Sequence, residues 1–395
     1  MRRFIFAVLA WCGSGLLGCS GQGAGGFSAA KEYVTVTSDG WALSVLRYRP
    51  AGPDDSAPAV VLCHGLGYNG RFWDLATEVS LARYLSDAGY DVWVPSLRGA
   101  GWSTKPPLSR LRQLFLRGDL LTAGGVFSSA GRGVLKINWT VDDHVRHDVP
   151  AILELVRKES GREKLYWIGH SMGGMILAGH LAGRGGDDRL AGFVALGVPV
   201  FVIPPRSAPL EQIASARGAV EISNIVVSTN LPSILGQIAG ARLATPIDVL
   251  FYNRANVTDD VIRRLSAWGT EDISPGQLAQ LIDMVRDGNF HSIDGKTDYT
   301  AGLEKIGVPA LFVAGTVDNL ATVAAVKQLY ARWGAAEKQF ALFGAVNGHR
   351  GDYGHDDLVI GRHARSEVFP LIRRWLDQRS GKPLLRLKLL PPAKK

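Results

Sequence analysis

Lys164-Leu165-Tyr166-Trp167-Ile168-Gly169-His170-Ser171-Met172-Gly173-Gly174 is the stretch from which the rest of the chain is read. An apolar run ends at Gly169, and a small-residue helical pattern starts at Gly173. Ser171 therefore sits at the corner between a strand and a helix, in the pattern G-x-S-x-G. Both glycines are required because a side chain at either place would collide across so sharp a turn. The turn lifts the serine Oγ above the sheet and sets it at a helix N-terminus, where amide N–H groups face developing negative charge.

At 395 residues and 46% hydrophobic content, the chain can bury a large core, and length alone allows two or three domains. The formal net charge is +8, but Arg2, Arg3 and the tail after Arg379 supply much of it, so the body is only mildly basic. No run of basic residues is interleaved with aromatics, which argues against nucleic acid as a partner. Nothing points to an obligate protein partner.

The N-terminus reads as a targeting segment. Arg2-Arg3 form a positive region, Phe4 to Trp11 an apolar one, and Leu16-Leu17-Gly18-Cys19 a small-residue cleavage site ending in cysteine. This resembles a bacterial lipoprotein signal, in which Cys19 is lipidated and becomes the mature N-terminus. The expected location is the cell envelope, with the chain exported and held at a membrane surface. The alternative is an ordinary secretory signal that leaves a secreted or periplasmic protein. The apolar run is short of the ~20 residues a membrane-spanning helix needs. Ser20 to Ala29, rich in Gly and Ser, reads as a flexible tether. With Cys12 in the signal and Cys19 in the cleavage site, only Cys63 remains, so the mature chain has no intramolecular disulfide and rests on its core.

Periodicity then orders the body. Tyr33 to Thr37 alternates as a strand, Ser38-Asp39-Gly40 turns the chain, and Ala42 to Tyr48 returns as the second arm of an antiparallel hairpin. Ala59 to Cys63 is a continuous apolar run, as expected of a strand covered on both faces. A helix near Ser80 to Ala88 stops at Gly89, and Tyr90 to Val94 is the next strand. Ser96 to Asn138 is too long and glycine-rich for a plain connection and is expected to line the mouth of a site or to carry short helices. Val141 to Glu159 is a helix with Val145, Val149, Ile152, Leu155 and Val156 on one stripe. After the elbow comes the strand Ala191 to Leu196.

Phe201 to Ile306 breaks the alternation with helical pieces such as Asp259 to Ala267 and Pro275 to Arg286, and Val308 to Ala314 resumes the sheet. A helix at Thr322 to Trp333, a strand at Gln339 to Phe343 and a helix at Ser366 to Gln378 close the order. The expected class is α/β, a mainly parallel sheet with an N-terminal antiparallel hairpin, helices on both faces and an inserted helical cap. The expected division is signal 1–18, tether 19–30, first core part 31–200, cap 201–306, second core part 307–380 and tail 381–395. The tail is apolar and basic and reads as a loosely docked end, with a membrane-surface contact as the alternative.

The elbow resembles that of the α/β-hydrolases, in which serine, acid and histidine follow in that chain order. Ser171 needs a base to take its proton and an acid to orient the base. Val308 to Asp318 is an apolar strand running into a loop with an acid, which makes Asp318 the candidate. Asp294 and Asp298 are weaker because no strand delivers them. Two histidines follow the last strand, His349 and His355, and spacing alone does not separate them. The oxyanion donors are expected to be the amides of Met172, next after the nucleophile, and of Leu66, in the loop His64-Gly65-Leu66-Gly67 after the first parallel strand. His64 reads as a structural residue of that loop and His170 as a packing residue. The run Asp142 to Asp148 invites a metal reading, but it lacks a clear third ligand site and reads as a solvated helix face. No zinc, P-loop or dinucleotide motif appears, so no metal or cofactor is expected.

Several stretches together resemble the acid lipase family, the gastric and lysosomal lipases among the α/β-hydrolases. They include Val34 to Leu43, His64-Gly-Leu-Gly with Trp73 behind it, Ser80 to Trp93, Arg98 to Ser103 and Asp148-Val-Pro-Ala151. Further along are Val285 to Phe290, Asp318-Asn-Leu-Ala321 and Tyr353-Gly-His-Asp-Asp-Leu358. The last match favours His355 as the base. The chain departs from the family at Met172-Gly173-Gly174, where the animal lipases carry Gln-Gly-Thr, and in the stretches Leu108 to Val134 and Pro204 to Asp259. The acyl and alcohol preference of the family therefore does not carry over.

The resemblance implies a serine hydrolase of carboxylic esters with hydrophobic acyl groups. Ser171 would attack, His355 relay the proton, Asp318 orient His355, and the Leu66 and Met172 amides hold the oxyanion. The same residues would serve an acyltransferase, and a membrane-tethered binding protein without turnover is a third reading.

Overall fold

The computed structural model describes residues 31–50, 56–105, 138–204, 207–215 and 248–382. The expected signal and tether, Cys19 included, lie outside the described residues, as do most of the 381–395 tail and parts of the long loop and the cap.

Eight strands form one sheet: β1 (Lys31–Val36), β2 (Ala42–Tyr48), β3 (Ala59–Cys63), β4 (Asp91–Pro95), β5 (Leu165–His170), β6 (Leu190–Leu196), β7 (Ala310–Gly315) and β8 (Lys338–Phe343). Their spatial order is β1-β2-β4-β3-β5-β6-β7-β8. The first hairpin is antiparallel, with Thr35 opposite Leu43, and β2 also runs antiparallel to β4. Every other pairing is parallel. The parallel strands are apolar throughout because both faces are covered, and alternate residues go to opposite cores. In β3 and β5, Ala59, Val61, Cys63, Leu165 and Trp167 enter one apolar cluster. Val60, Leu62, Tyr166 and Ile168 enter the other. Cys63 is a buried free thiol at the end of its strand.

The described helices divide between the two faces. One face takes a long helix, α2, in which Val141–Asp143, His144–Asp148 and Val149–Ser160 run on from one another, together with α3 (Met172–Arg184) and α7 (Val323–Arg332). The other takes α1 (Leu81–Asp87) and α8 (Ala364–Ser380). The stripe on α2 is buried at Val145, Val149, Ile152 and Val156, while Leu155 is half-buried at its edge.

The first turn of α2 corrects one expectation. Asp142, His144 and Asp148 do not form a solvated face; they are 3%, 0% and 0% exposed. Their charge and polarity are met by residues far away in the chain. Asp142 accepts from Gln280 Nε2 at 2.7 Å and the Tyr299 hydroxyl at 2.9 Å. Asp148 takes the Arg98 guanidinium at 2.7 Å and the His144 Nδ1–H at 2.6 Å. The pull of these two partners outweighs burial and holds the Asp148 carboxyl below the usual carboxylate range. The α-helix widens by one residue per turn over His144–Asp148, so His144 turns inward. His147 instead lies half-buried against Ser38 Oγ. The two histidines do not converge on a common point.

Between β6 and β7 the chain leaves the sheet and returns to the neighbouring strand. Its described residues hold α4 (Ala208–Ser215), α5 (Asp259–Arg264), which continues through Leu265–Gly269, and α6 (Pro275–Asp287). Ser274 and Gln277 cap α6 reciprocally, and Pro275 takes its first turn. This segment is bound to the loop after β3: Glu271 N donates to Gly67 O at 2.7 Å and Asn69 N to Gly269 O at 3.0 Å. Glu271 is buried, pairs with Lys105 at 3.1 Å and accepts from Asn69 Nδ2 at 2.7 Å.

Candidate active site

Parallel strands carry their loops to one edge of the sheet, so residues that follow β3, β5, β7 and β8 gather at that edge. Ser171 follows β5 directly and precedes Met172, the first residue of α3. Its φ is 52° and its ψ −123°; it has the one positive φ outside glycine among the described residues. Strain of this kind costs on the order of 1–3 kcal/mol and persists only where the surroundings over-determine it. Here they do. Ser171 N donates to Leu196 O at 3.0 Å, and Ser171 O accepts from Gly174 N and Met175 N at 2.9 and 3.1 Å.

The glycines make the elbow possible in two ways. A Cβ on Gly169 would lie 2.5 Å from Gly174 Cα, the expected collision across the turn. A Cβ on Gly173 would lie 2.2 Å from Cys63 O. That second collision is with the end of the neighbouring strand, a close approach between α3 and β3 that the motif alone does not reveal.

Asp318 follows β7 and His355 follows β8. His355 Nδ1–H donates to Asp318 Oδ2 at 2.8 Å, and both residues are buried. The other carboxylate oxygen of Asp318 accepts from Leu320 N at 2.9 Å and Ala321 N at 2.8 Å, which fixes the carboxylate plane. Burial disfavours the imidazolium of His355, but Asp318, aided by Asp356 and Asp357, outweighs it and raises the histidine above its ordinary range. The His355 Nε2 is buried and has no hydrogen-bond partner among the described residues. His355 also packs on His170, the residue before Ser171, with ring centroids 4.7 Å apart.

His349 does not reach Asp318. Its Nδ1 lies 3.1 Å from Gly344 O and its ring packs on Phe343. Asp294 is occupied by Ser292 Oγ and Lys296 N, and Asp298 by Thr300. Both lie in local turns of the inserted segment.

The loop His64-Gly65-Leu66-Gly67 lies beside the elbow because Cys63 is in register with Gly169. A Cβ on Gly65 would come within 3.1 Å of Ser171 Cβ, so the loop backbone passes close to the serine. Met172 heads α3, and its N–H has no acceptor inside the helix. His64 holds the loop: its Nδ1–H donates to Gly65 O at 2.8 Å and its Nε2 accepts from Leu97 N at 3.1 Å. Burial pushes His64 down to about 4, so it is a neutral bracket between two loops.

His170 is more than the packing residue its position suggests. It is buried, stacks on Phe72 at 4.8 Å and donates from Nε2 to His355 O at 3.1 Å. Gly197, after β6, escaped sequence reasoning. Its φ is +53°, and a Cβ there would lie 3.1 Å from Asp318 Oδ2 and 3.2 Å from His355 Nδ1. A glycine directly after an apolar strand is the signal that marked it.

Among the described residues, two clusters bring three possible metal ligands together: His170, His355 and Asp356, and Asp39, Asp143 and His147. In the first, His355 Nδ1 is committed to Asp318 and His170 Nε2 to a carbonyl. In the second, Asp39 is held by the Arg98 guanidinium and Asp143 by Thr140. Neither is arranged as a metal centre.

Residues 58–219 match the family model described as the alpha/beta hydrolase fold. Gastric triacylglycerol lipase of Rattus norvegicus is 30% identical over 194 residues, covering 47% of this chain and 43% of that protein. The tear acid lipase-like protein of Mesocricetus auratus is 33% identical over 158 residues, covering 38% of this chain and 34% of that one. The chain thus spans less than half the length of these relatives. Among solved structures, a thermophilic esterase from Thermogutta terrifontis superposes with a TM-score of 0.56 at 18% identity, covering 89% of this chain and all of that one. A monoacylglycerol lipase from Paleococcus ferrophilus gives 0.53 at 19% identity, covering 85% and 99%. The chain has the α/β-hydrolase fold, and over its matched stretch it is similar to acid lipases.

Proposed function

We propose that this chain of α/β-hydrolase fold is a serine hydrolase of carboxylic esters, with Ser171 as nucleophile, His355 as general base and acid, and Asp318 as the orienting acid. The observation that carries the reading is the buried 2.8 Å pair of His355 and Asp318 beside a serine held at φ 52°. A serine is strained in this way where its hydroxyl must be presented, and a buried carboxylate fixes an imidazole in one tautomer with Nε2 outward.

The mechanism follows from these groups. His355 Nε2 takes the Ser171 proton as Oγ adds to the ester carbonyl. The amides of Leu66 and Met172 donate to the oxyanion, each worth about 3–4 kcal/mol at the transition state. The imidazolium, stabilised by Asp318, gives its proton to the leaving alcohol. Water then adds to the acyl-enzyme with the same base and releases the acid.

Hydrophobic acyl esters are the proposed substrates. The similar proteins include lipases and esterases by name. Trp102, Trp268 and Val317 are exposed apolar side chains in segments next to the site. Residues 201–306 are proposed as a cap between the two core parts, 31–200 and 307–380. Attachment to a membrane surface through lipidated Cys19 is proposed from the N-terminal motif; among the described residues no helix is long and apolar enough to cross a membrane.

Hydrolysis of p-nitrophenyl esters from acetate to palmitate, beside Ser171→Ala, tests the reading. Turnover lost in the variant supports it, and a chain-length optimum reports the acyl pocket. Adding a primary alcohol separates hydrolysis from transfer by the product formed. A folded wild-type protein inert on every ester and acceptor sinks the proposal.

A further inference from the structure

Tyr68 lies two residues after Leu66, on the loop after β3, and Asp356 directly follows His355. The Tyr68 hydroxyl donates to Asp356 Oδ2 at 2.5 Å, and both residues are buried. The same two segments are joined a second way, through rings. Tyr68 stacks on Phe72 at 4.9 Å, Phe72 on His170 at 4.8 Å, and His170 meets His355 at 4.7 Å. The circuit closes through the chain from His355 to Asp356 and back to Tyr68.

We infer that the Tyr68–Asp356 hydrogen bond is a positioning clasp that keeps the loop bearing the Leu66 amide in register with the base His355. The inference rests on the serine hydrolase reading. Oxyanion donors and base act on the same tetrahedral centre but come from loops joined by residues 288 positions apart, and displacement of one against the other by about an ångström costs rate steeply. A clasp between them is where such register can be fixed.

An apolar residue would fill the place of Asp356 at less cost. A buried carboxylate must be desolvated, and among the described residues this one has a single side-chain donor. Its Oδ1 is buried without a hydrogen-bond partner among those residues and stands 3.7 Å from His170 Nε2, which already serves His355 O. What Asp356 obtains in this position is Tyr68. Its backbone N–H, donating to Phe251 O at 2.6 Å, anchors the same residue to the inserted segment. Tyr68 meets that segment as well, bridging to Thr270. The titratable groups facing Asp356 are His355, Asp357 and Asp318 from its own side, His170 from the elbow and Tyr68 from the loop. Asp357 is engaged by Gly354 N, Asn253 N and Asn256 Nδ2.

The test is the rate of Ser171 phosphonylation by a fluorophosphonate, measured against pH on the full chain. The reagent needs no knowledge of the natural substrate, and its P=O oxygen requires the oxyanion donors. Tyr68→Phe keeps the ring stack and removes the clasp, and is expected to slow labelling about tenfold at every pH. Asp356→Asn keeps an acceptor for the tyrosine and is expected to label within a few-fold of wild type, whereas Asp356→Leu fills the place without an acceptor and is expected to label about tenfold more slowly. A merely structural role would lower the melting temperature of both Asp356 variants without that split in rate. Wild-type rates for Tyr68→Phe overturn the inference. So do equal rates for Asp356→Asn and Asp356→Leu, which decide the matter if Tyr68→Phe does not fold. A wild-type protein that is not labelled at all overturns the serine reading itself, and the inference with it.

Discussion

Asp318 Oδ2 accepts from His355 Nδ1 at 2.8 Å, although the two residues leave different strands and stand 37 positions apart. The contact passes over Gly197, the residue that follows β6, the strand between β5 and β7. The carboxylate is fixed by two backbone amides, so the imidazole is held from behind while its Nε2 stays uncommitted.

Removing the carboxylate charge should expose this dependence. Asp318→Asn is expected to lower kcat by about 10³–10⁴ through loss of the correct tautomer and of imidazolium stabilisation. The remaining activity should titrate at lower pH. The folded His355 is raised by Asp318 against its burial, so its neutral, basic form is reached only above the ordinary histidine range. Without the charge that limb moves down. A pH profile of kcat/KM for both proteins checks the direction.

Gly197→Ala is expected to damage activity more than fold. The new Cβ meets Asp318 Oδ2 and His355 Nδ1 at 3.1 and 3.2 Å, and the positive φ adds on the order of 1 kcal/mol of strain. Activity should fall at least tenfold, with a modest loss of melting temperature. Gly173→Ala is the contrast. Its Cβ would stand 2.2 Å from a backbone oxygen of β3, which has nowhere to go, so the variant should fail to accumulate as folded protein.

The Leu66 side chain should be replaceable while its amide is not. Leu66→Ala is expected to stay within a few-fold of wild-type kcat. Leu66→Pro, which removes the N–H, should lose about 10²–10³. Equal effects of the two would remove Leu66 from the oxyanion site.

Asp356 makes a stability prediction of its own. Burial lifts its carboxyl to about 7, against about 3.9 in an unfolded chain. The folded state therefore holds a proton that the unfolded state has released between these values. Stability from this group is full at the acid end and is lost as pH rises through 7. Asp356→Asn should gain on wild type as pH rises, with a melting-temperature difference on the order of 2–4 °C larger at pH 8 than at pH 5. A difference that does not change with pH contradicts it.

How far the sequence could be read depended on where a residue's partners lie. The parallel strands were legible because burial on both faces leaves apolar runs such as Ala59 to Cys63. The elbow was legible because its contacts are mostly local. Asp142, His144 and Asp148 misled because they look like a polar helix face, while Arg98, Gln277, Gln280 and Tyr299, which satisfy them, are 50 to 157 positions away. His349 and His355 were equivalent by spacing. In the fold His349 turns back on Gly344 while His355 meets Asp318. His170 looked like filler because its acceptor is a carbonyl 185 positions on.

The most direct measurement is the mass of the covalent intermediate. The full chain would be mixed with a p-nitrophenyl ester, quenched in acid and digested. One acyl group is expected on the peptide carrying Ser171, appearing in step with a burst of p-nitrophenol, and none on Ser171→Ala. An acyl group on another residue, or equal turnover by the alanine variant, would contradict it.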